Sequence, residues 1–123
     1  LLRRSNTGYE DGNYSMVAGH LESDETLVQA MTREAREEAG IDIRPDDLEI
    51  AHVMHRKTPG EEERIDVFMR AQKWQNEPRN MEPNKCDDLG WFLRDDLPAN
   101  VIPYIRQATD WMNPNVLYSE HGW

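Results

Sequence analysis

Residues 19–41 read GHLESDETLVQAMTREAREEAGI, and this stretch decides how the rest of the chain is read. The run from Glu25 to Ala39 is free of proline and glycine, follows the capping residues Ser23 and Asp24, and ends at Gly40, where a left-handed residue belongs. The sequence therefore predicts a helix over residues 25–39 with Ser23 or Asp24 as its N-cap. At about 100° per residue, with Leu27 at zero, Val28, Met31, Ala35 and Ala39 fall between roughly 0° and 120° and form an apolar stripe. Glu37, Glu34 and Glu38 fall near about 280°, 340° and 20° on the same wheel, so three carboxylates share one arc at the edge of that stripe.

Two electrostatic rules are broken there. Like charges three and four residues apart repel across a helix surface, and Glu37 and Glu38 stand in the last turn, where the helix macrodipole disfavours anions. A solvated acidic face, partly balanced by Arg33 and Arg36, is the plain reading of Glu-x-x-Glu-Glu alone. A bound divalent cation would reverse both penalties, and hard carboxylate oxygens favour magnesium or manganese over zinc.

The wider spacing separates these readings. Gly19, five residues, Glu25, seven residues and then Arg33-Glu34-Ala35-Arg36-Glu37-Glu38-Ala39-Gly40-Ile41 resembles the Nudix box at every defining position. A chance match is on the order of one in a million from ordinary residue frequencies. Ala35 stands where a larger aliphatic residue is common. The Asp11-Gly12 turn leading into residues 14–22, then residues 81–86, Trp91-Phe92 and Leu97-Pro98 extend the resemblance over nearly the whole chain, with less specific motifs.

The resemblance implies an α+β Nudix fold: a mixed β-sheet sandwiched between helices (α/β/α), with the box forming a loop, a helix and a loop. It implies a pyrophosphohydrolase, dependent on Mg2+ with Mn2+ as substitute, that cuts a nucleoside diphosphate linked to X, such as a nucleoside triphosphate or oxidised nucleotide. Glu34, Glu37 and Glu38 match the positions that ligate the metal, and the backbone carbonyl of Gly19 matches a further ligand. Arg33 matches the arginine that orients a box glutamate, and Glu25 matches a supporting acid; an ordinary surface ion pair is the alternative for these two. Later-loop acids that could join the site are Glu61, Glu62, Glu63, Glu82, Asp87 and Asp88, each read first as a solvated loop acid. The alternative function is a nucleotide-binding sensor without turnover, against which the intact acids weigh.

The remaining features set bounds. A chain of 123 residues reads as one domain over residues 1–123. Leu1-Leu2 before Arg3-Arg4 reads as the end of an apolar strand whose beginning is missing. Acidic residues number 24 against 14 basic, a net charge of −10, which argues against a nucleic-acid polymer as partner and leaves a small-molecule nucleotide. The single cysteine, Cys86, allows no internal disulfide and fits a cytoplasmic setting; no apolar run suits a membrane.

Further strands are expected over residues 14–17, 49–54, 65–71 and 89–93, and a second helix from 98 or 100 to 112, with Val101, Ile102, Ile105, Ala108 and Met112 as its apolar stripe. Trp91 and Phe92 then sit in a strand, on opposite faces, where one could stack a base. His20, His52 and His55 read as structural rather than catalytic. Aromatic residues in the 111–123 tail suggest a homodimer interface.

Overall fold

The computed structural model describes residues 1–123 and contains six strands, two α-helices and one 3-10 turn (Pro45–Asp47). Strands β1 (Leu2–Arg4), β2 (Tyr14–Ser15) and β5 (Cys86–Leu89) form an antiparallel sheet in the order β2-β1-β5. Strands β3 (Leu48–Arg56), β4 (Arg64–Ala71) and β6 (Tyr118–His121) form a mixed sheet, β4 antiparallel and β6 parallel to the central β3. The mixed sheet of the expected α+β fold is thus accompanied by a second, antiparallel one. Tyr14 of β2 makes a further, isolated parallel bridge to Val101.

Helix α1 (Leu27–Ala39) starts later than the sequence suggested. Asp24 takes a positive φ of 63° as part of a turn, and neither it nor Ser23 caps the helix. Thr26 does: its side chain accepts from the Gln29 amide while the Gln29 side chain accepts from the Thr26 amide, a reciprocal capping box. The far end is as expected, with Gly40 at φ 67° and its amide directed at the Ala35 and Arg36 carbonyls. Of the expected stripe, Ala35 and Ala39 are buried and Val28 and Met31 half-buried, whereas Leu27 is exposed; Ala30 is buried instead.

Helix α2 (Pro103–Met112) likewise starts later, at a proline in its first turn. Val101 and Ile102 belong to the core but precede the helix, because Val101 pairs with Tyr14 and the Ile102 amide donates to the Tyr14 carbonyl. Together with Ile105 and Ala108 from α2, they pack on Tyr14, Met54 and Phe68. Ile105 and Met54 are shielded almost completely, and full burial of such side chains contributes roughly 1.5–3 kcal/mol each.

The strand expected over residues 89–93 ends where it was to begin. Its place is taken by Cys86–Leu89, whose two aspartates are accommodated by partners across β1 and β2: Asp87 by Arg3 at 2.7 Å and Asp88 by the Tyr14 hydroxyl. Trp91 and Phe92 therefore lie beyond the strand. Phe92 packs edge-on against Tyr14 at 5.1 Å, and Trp91, largely exposed, stacks on Trp74 at 5.8 Å. No helix is long and apolar enough to cross a membrane.

Candidate active site

The loop before α1 is fastened to the helix by one guanidinium. Arg33 donates through Nε and Nη2 to the two oxygens of Glu25, at 3.1 and 2.7 Å, and Nη2 also reaches the His20 carbonyl. Glu25 in turn accepts from the Glu22 amide at 2.8 Å. The Arg33 hydrogen bonds, and next the Glu22 amide, hold the Glu25 carboxyl below the usual carboxylate range, and the carboxylates of Glu25 and then Glu34 raise the Arg33 guanidinium. Both side chains are mostly shielded, so this pair is more than a solvated surface contact. The remaining nitrogen, Nη1, donates to Glu34 at 2.7 Å and to Glu37 at 3.3 Å.

Gly19 lies directly against the Glu34 carboxylate. A Cβ at this position would stand 1.9 Å from Glu34 Oε1, so only glycine permits the approach. One residue earlier, the Ala18 amide donates to Glu38 Oε2 at 3.1 Å. Glu34 is close enough to Glu38 for its charge to raise the Glu38 carboxyl. Burial, and to a lesser extent the neighbouring charges of Glu34 and Glu82, pushes the Glu38 carboxyl up to about 8 against the single opposing bond from Ala18.

Glu37 stands apart. More than half exposed, it turns toward Arg33 rather than toward Glu38, and no three acidic, histidine or cysteine side chains surround a common point. The structure thus brings Glu34, Glu38 and Gly19 together, attaches Arg33 and Glu25 to them, and leaves Glu37 on the far side of Arg33. The donor set consists of hard oxygens with glycine at the point of closest approach, which fits a hard divalent cation.

Of the six later acids, one comes to this site. Met81 donates its amide to the backbone carbonyl of Glu38, Arg79 donates to that of Ala39, and the Glu82 carbonyl receives the amides of Lys85 and Cys86. This turn sets Glu82 beside Glu38, on a common cavity. The other five have other settings: Glu61 lies near Arg56, Glu62 is exposed, Glu63 lies near His55, Asp87 on Arg3 and Asp88 on Tyr14. Nothing in the spacing of the six distinguishes Glu82; the pairing of residues 79–81 with the end of α1 does. His52 is wholly buried and bonded on both ring nitrogens, to the Val116 carbonyl and the Ser119 hydroxyl at 2.7 Å each, as a structural histidine. Another cavity, of about 430 Å³, runs along α2 by Arg106 and Trp111 and holds none of these groups.

A NUDIX domain model matches residues 1–112. The chain is 29% identical over 103 residues to the NAD-capped RNA hydrolase NudC of Citrobacter koseri and, over the same length, to that of Shigella flexneri. In both cases the match covers 84% of this chain but 38% of the relative, so the chain spans well under half of their length. Its fold is similar to the crystal structure of a MutT NUDIX hydrolase from Burkholderia pseudomallei, with a TM-score of 0.81, 28% identity, and coverage of 89% of this chain and 84% of that one.

Proposed function

The chain belongs to the Nudix family, and from that premise we propose that it hydrolyses a nucleoside diphosphate linked to a further group X at the diphosphate. The products are a nucleoside monophosphate and either pyrophosphate or phosphorylated X. The observation that supports this reading most is the Glu34–Glu38 pair: two neighbouring carboxyls beside the Ala18-Gly19 backbone, one of them pushed up by burial to about 8 and so holding a proton at neutral pH. A cation brought to that pair would displace the proton, an arrangement with no benefit to a purely structural helix.

Nudix hydrolases generally use divalent metal ions. We assign magnesium, with manganese as substitute, to Glu34, Glu38, the Gly19 carbonyl and Glu37, the last of which must turn away from Arg33. The ion would supply a Lewis acid and acidify water. The protein's own contribution is positional. Glu25 holds Arg33, Arg33 holds Glu34, and the Ala18 amide holds Glu38. Glu38 or Glu82, both on the cavity, accepts a proton from the attacking water. The substrate is a small nucleotide in a cytoplasmic setting; an acidic chain is poorly suited to gripping a nucleic-acid backbone.

Phosphate release through a coupled phosphatase tests this across nucleoside triphosphates, oxidised nucleotides, sugar nucleotides, ADP-ribose, NAD and dinucleoside polyphosphates, with NAD-capped RNA as a further arm. Turnover of one class that collapses in Glu38→Gln is the expected result. Tight nucleotide binding without turnover in the unaltered protein would replace the hydrolase with a sensor.

A further inference from the structure

Beside Glu38 lies a cavity of about 160 Å³ whose lining combines opposite charges: Glu38 and Glu82 with Arg3, Arg4 and Lys85. The three cations are not equivalent. Arg3 is paired with Asp87 at 2.7 Å, and Lys85 stands 4.0 Å from Glu82. Arg4 alone of the three has no carboxylate in ion-pair contact, in a chain with ten more acids than bases.

Arg4 is nevertheless held in place. Its Nε donates to the Tyr9 carbonyl at 2.6 Å, its Nη2 donates to the Thr7 hydroxyl at 3.1 Å, and its guanidinium lies over the Tyr9 ring, 5.2 Å from the centroid. Thr7 is itself fixed by Asp11, which receives the Thr7 hydroxyl and the Thr7 and Gly8 amides. The loop between β1 and β2 is thus organised around a half-buried cation whose anchors are all neutral, with Nη1 uncommitted. A fixed guanidinium with free donors is suited to phosphate oxygens.

Size narrows the ligand. At roughly 30 Å³ per water, the cavity holds about five waters, enough for a phosphoryl group. It is below the roughly 300–1,000 Å³ of pockets that enclose whole organic ligands.

We propose that Arg4, assisted by Lys85, forms an anion subsite for the terminal phosphoryl group of a substrate that is attacked at another phosphorus, so that the enzyme favours nucleotides ending in a phosphate over those whose X is uncharged. This rests on the hydrolase reading for its substrate, but the subsite can be probed by itself. Inorganic pyrophosphate, titrated calorimetrically into the metal-free protein, is the direct probe. Arg4→Gln should weaken its binding about tenfold or more, the loss of a charge-assisted contact, with a smaller loss in Lys85→Gln. Arg94→Gln, an equal charge change on an exposed side chain away from the cavity, should leave binding unchanged. If Arg4→Gln does not fold, Lys85→Gln against Arg94→Gln decides. Pyrophosphate binding that is absent in the unaltered protein, or equal in the folded variants, overturns the subsite.

Turnover with a divalent cation separates the two readings. Binding through Arg4 without hydrolysis of any nucleotide sinks the hydrolase and keeps the subsite. Hydrolysis in which Arg4→Gln and Lys85→Gln leave KM for a triphosphate unchanged does the reverse. A raised KM for a triphosphate, with that for a sugar nucleotide unaltered, supports both.

Discussion

Glu38 holds its proton at pH 7 because it is buried, with one amide to favour its charge and two acids to oppose it. A divalent cation taking that position must expel its proton, so cation affinity should increase as pH rises toward about 8 and level off beyond. Calorimetry in two buffers of different ionisation enthalpy would reveal the released proton; an equal heat in both would remove the argument. Gly19→Ala tests the same spot from the other side. Its methyl would collide with Glu34 Oε1, and because Gly19 is exposed the fold should survive while cation affinity and turnover fall together. Arg33→Lys should lower kcat as well, since a single ammonium cannot hold Glu25 through two bonds while reaching Glu34, and thermal unfolding should move far less than activity.

For the elements, what was legible depended on whether a single local signal stood alone. Gly40 had no competitor as a helix stop and occupies that role. At the other end Ser23, Asp24 and Thr26 are all good caps, and the choice fell to the one with Gln three residues on. Thr26→Ala should therefore cost about 0.5–2 kcal/mol in urea denaturation, whereas Ser23→Ala should cost nearly nothing. The strand holding Asp87 and Asp88 was misread because two adjacent aspartates disfavour a strand by composition; only Arg3 and Tyr14, distant in sequence, make it acceptable. The spacing puts Glu34, Glu38, Arg33 and Glu25 close together, as the structure has them, and puts Glu37 with them, which it does not. That Arg33 stands between Glu34 and Glu37, and that Glu82 joins Glu38, were not legible, since both depend on how segments far apart in the chain meet.

Across the whole molecule, the buried carboxyl gives stability a pH dependence of predictable sign. The Glu38 value in the folded chain, about 8, lies above its ordinary 4.5, so between these values the folded state holds a proton that the unfolded state lacks. Metal-free protein should lose stability as pH rises through that window and lose no more from this group above it. Glu38→Gln should flatten the curve, and a divalent cation should restore stability at the alkaline end; urea midpoints across the window would show a slope unchanged by the substitution if the idea is wrong. The aromatic residues of the 111–123 tail suggest self-association, and Trp111, Tyr118 and Trp123 are exposed; sedimentation at high concentration should show a dimer, a strictly monomeric species refuting it.

The parallel placement of β6 beside β3 bears on how the chain is born. Residues 48–56 leave the ribosome some sixty residues ahead of Tyr118–His121, so β3 spends that interval paired on one side only. His52, at its centre, has both ring partners in the late segment, Val116 and Ser119. A nascent chain halted before them would have to bury an imidazole with nothing to bond, or leave it open to water. The emergence of residues 116–121 is therefore the step that lets the middle of the sheet close.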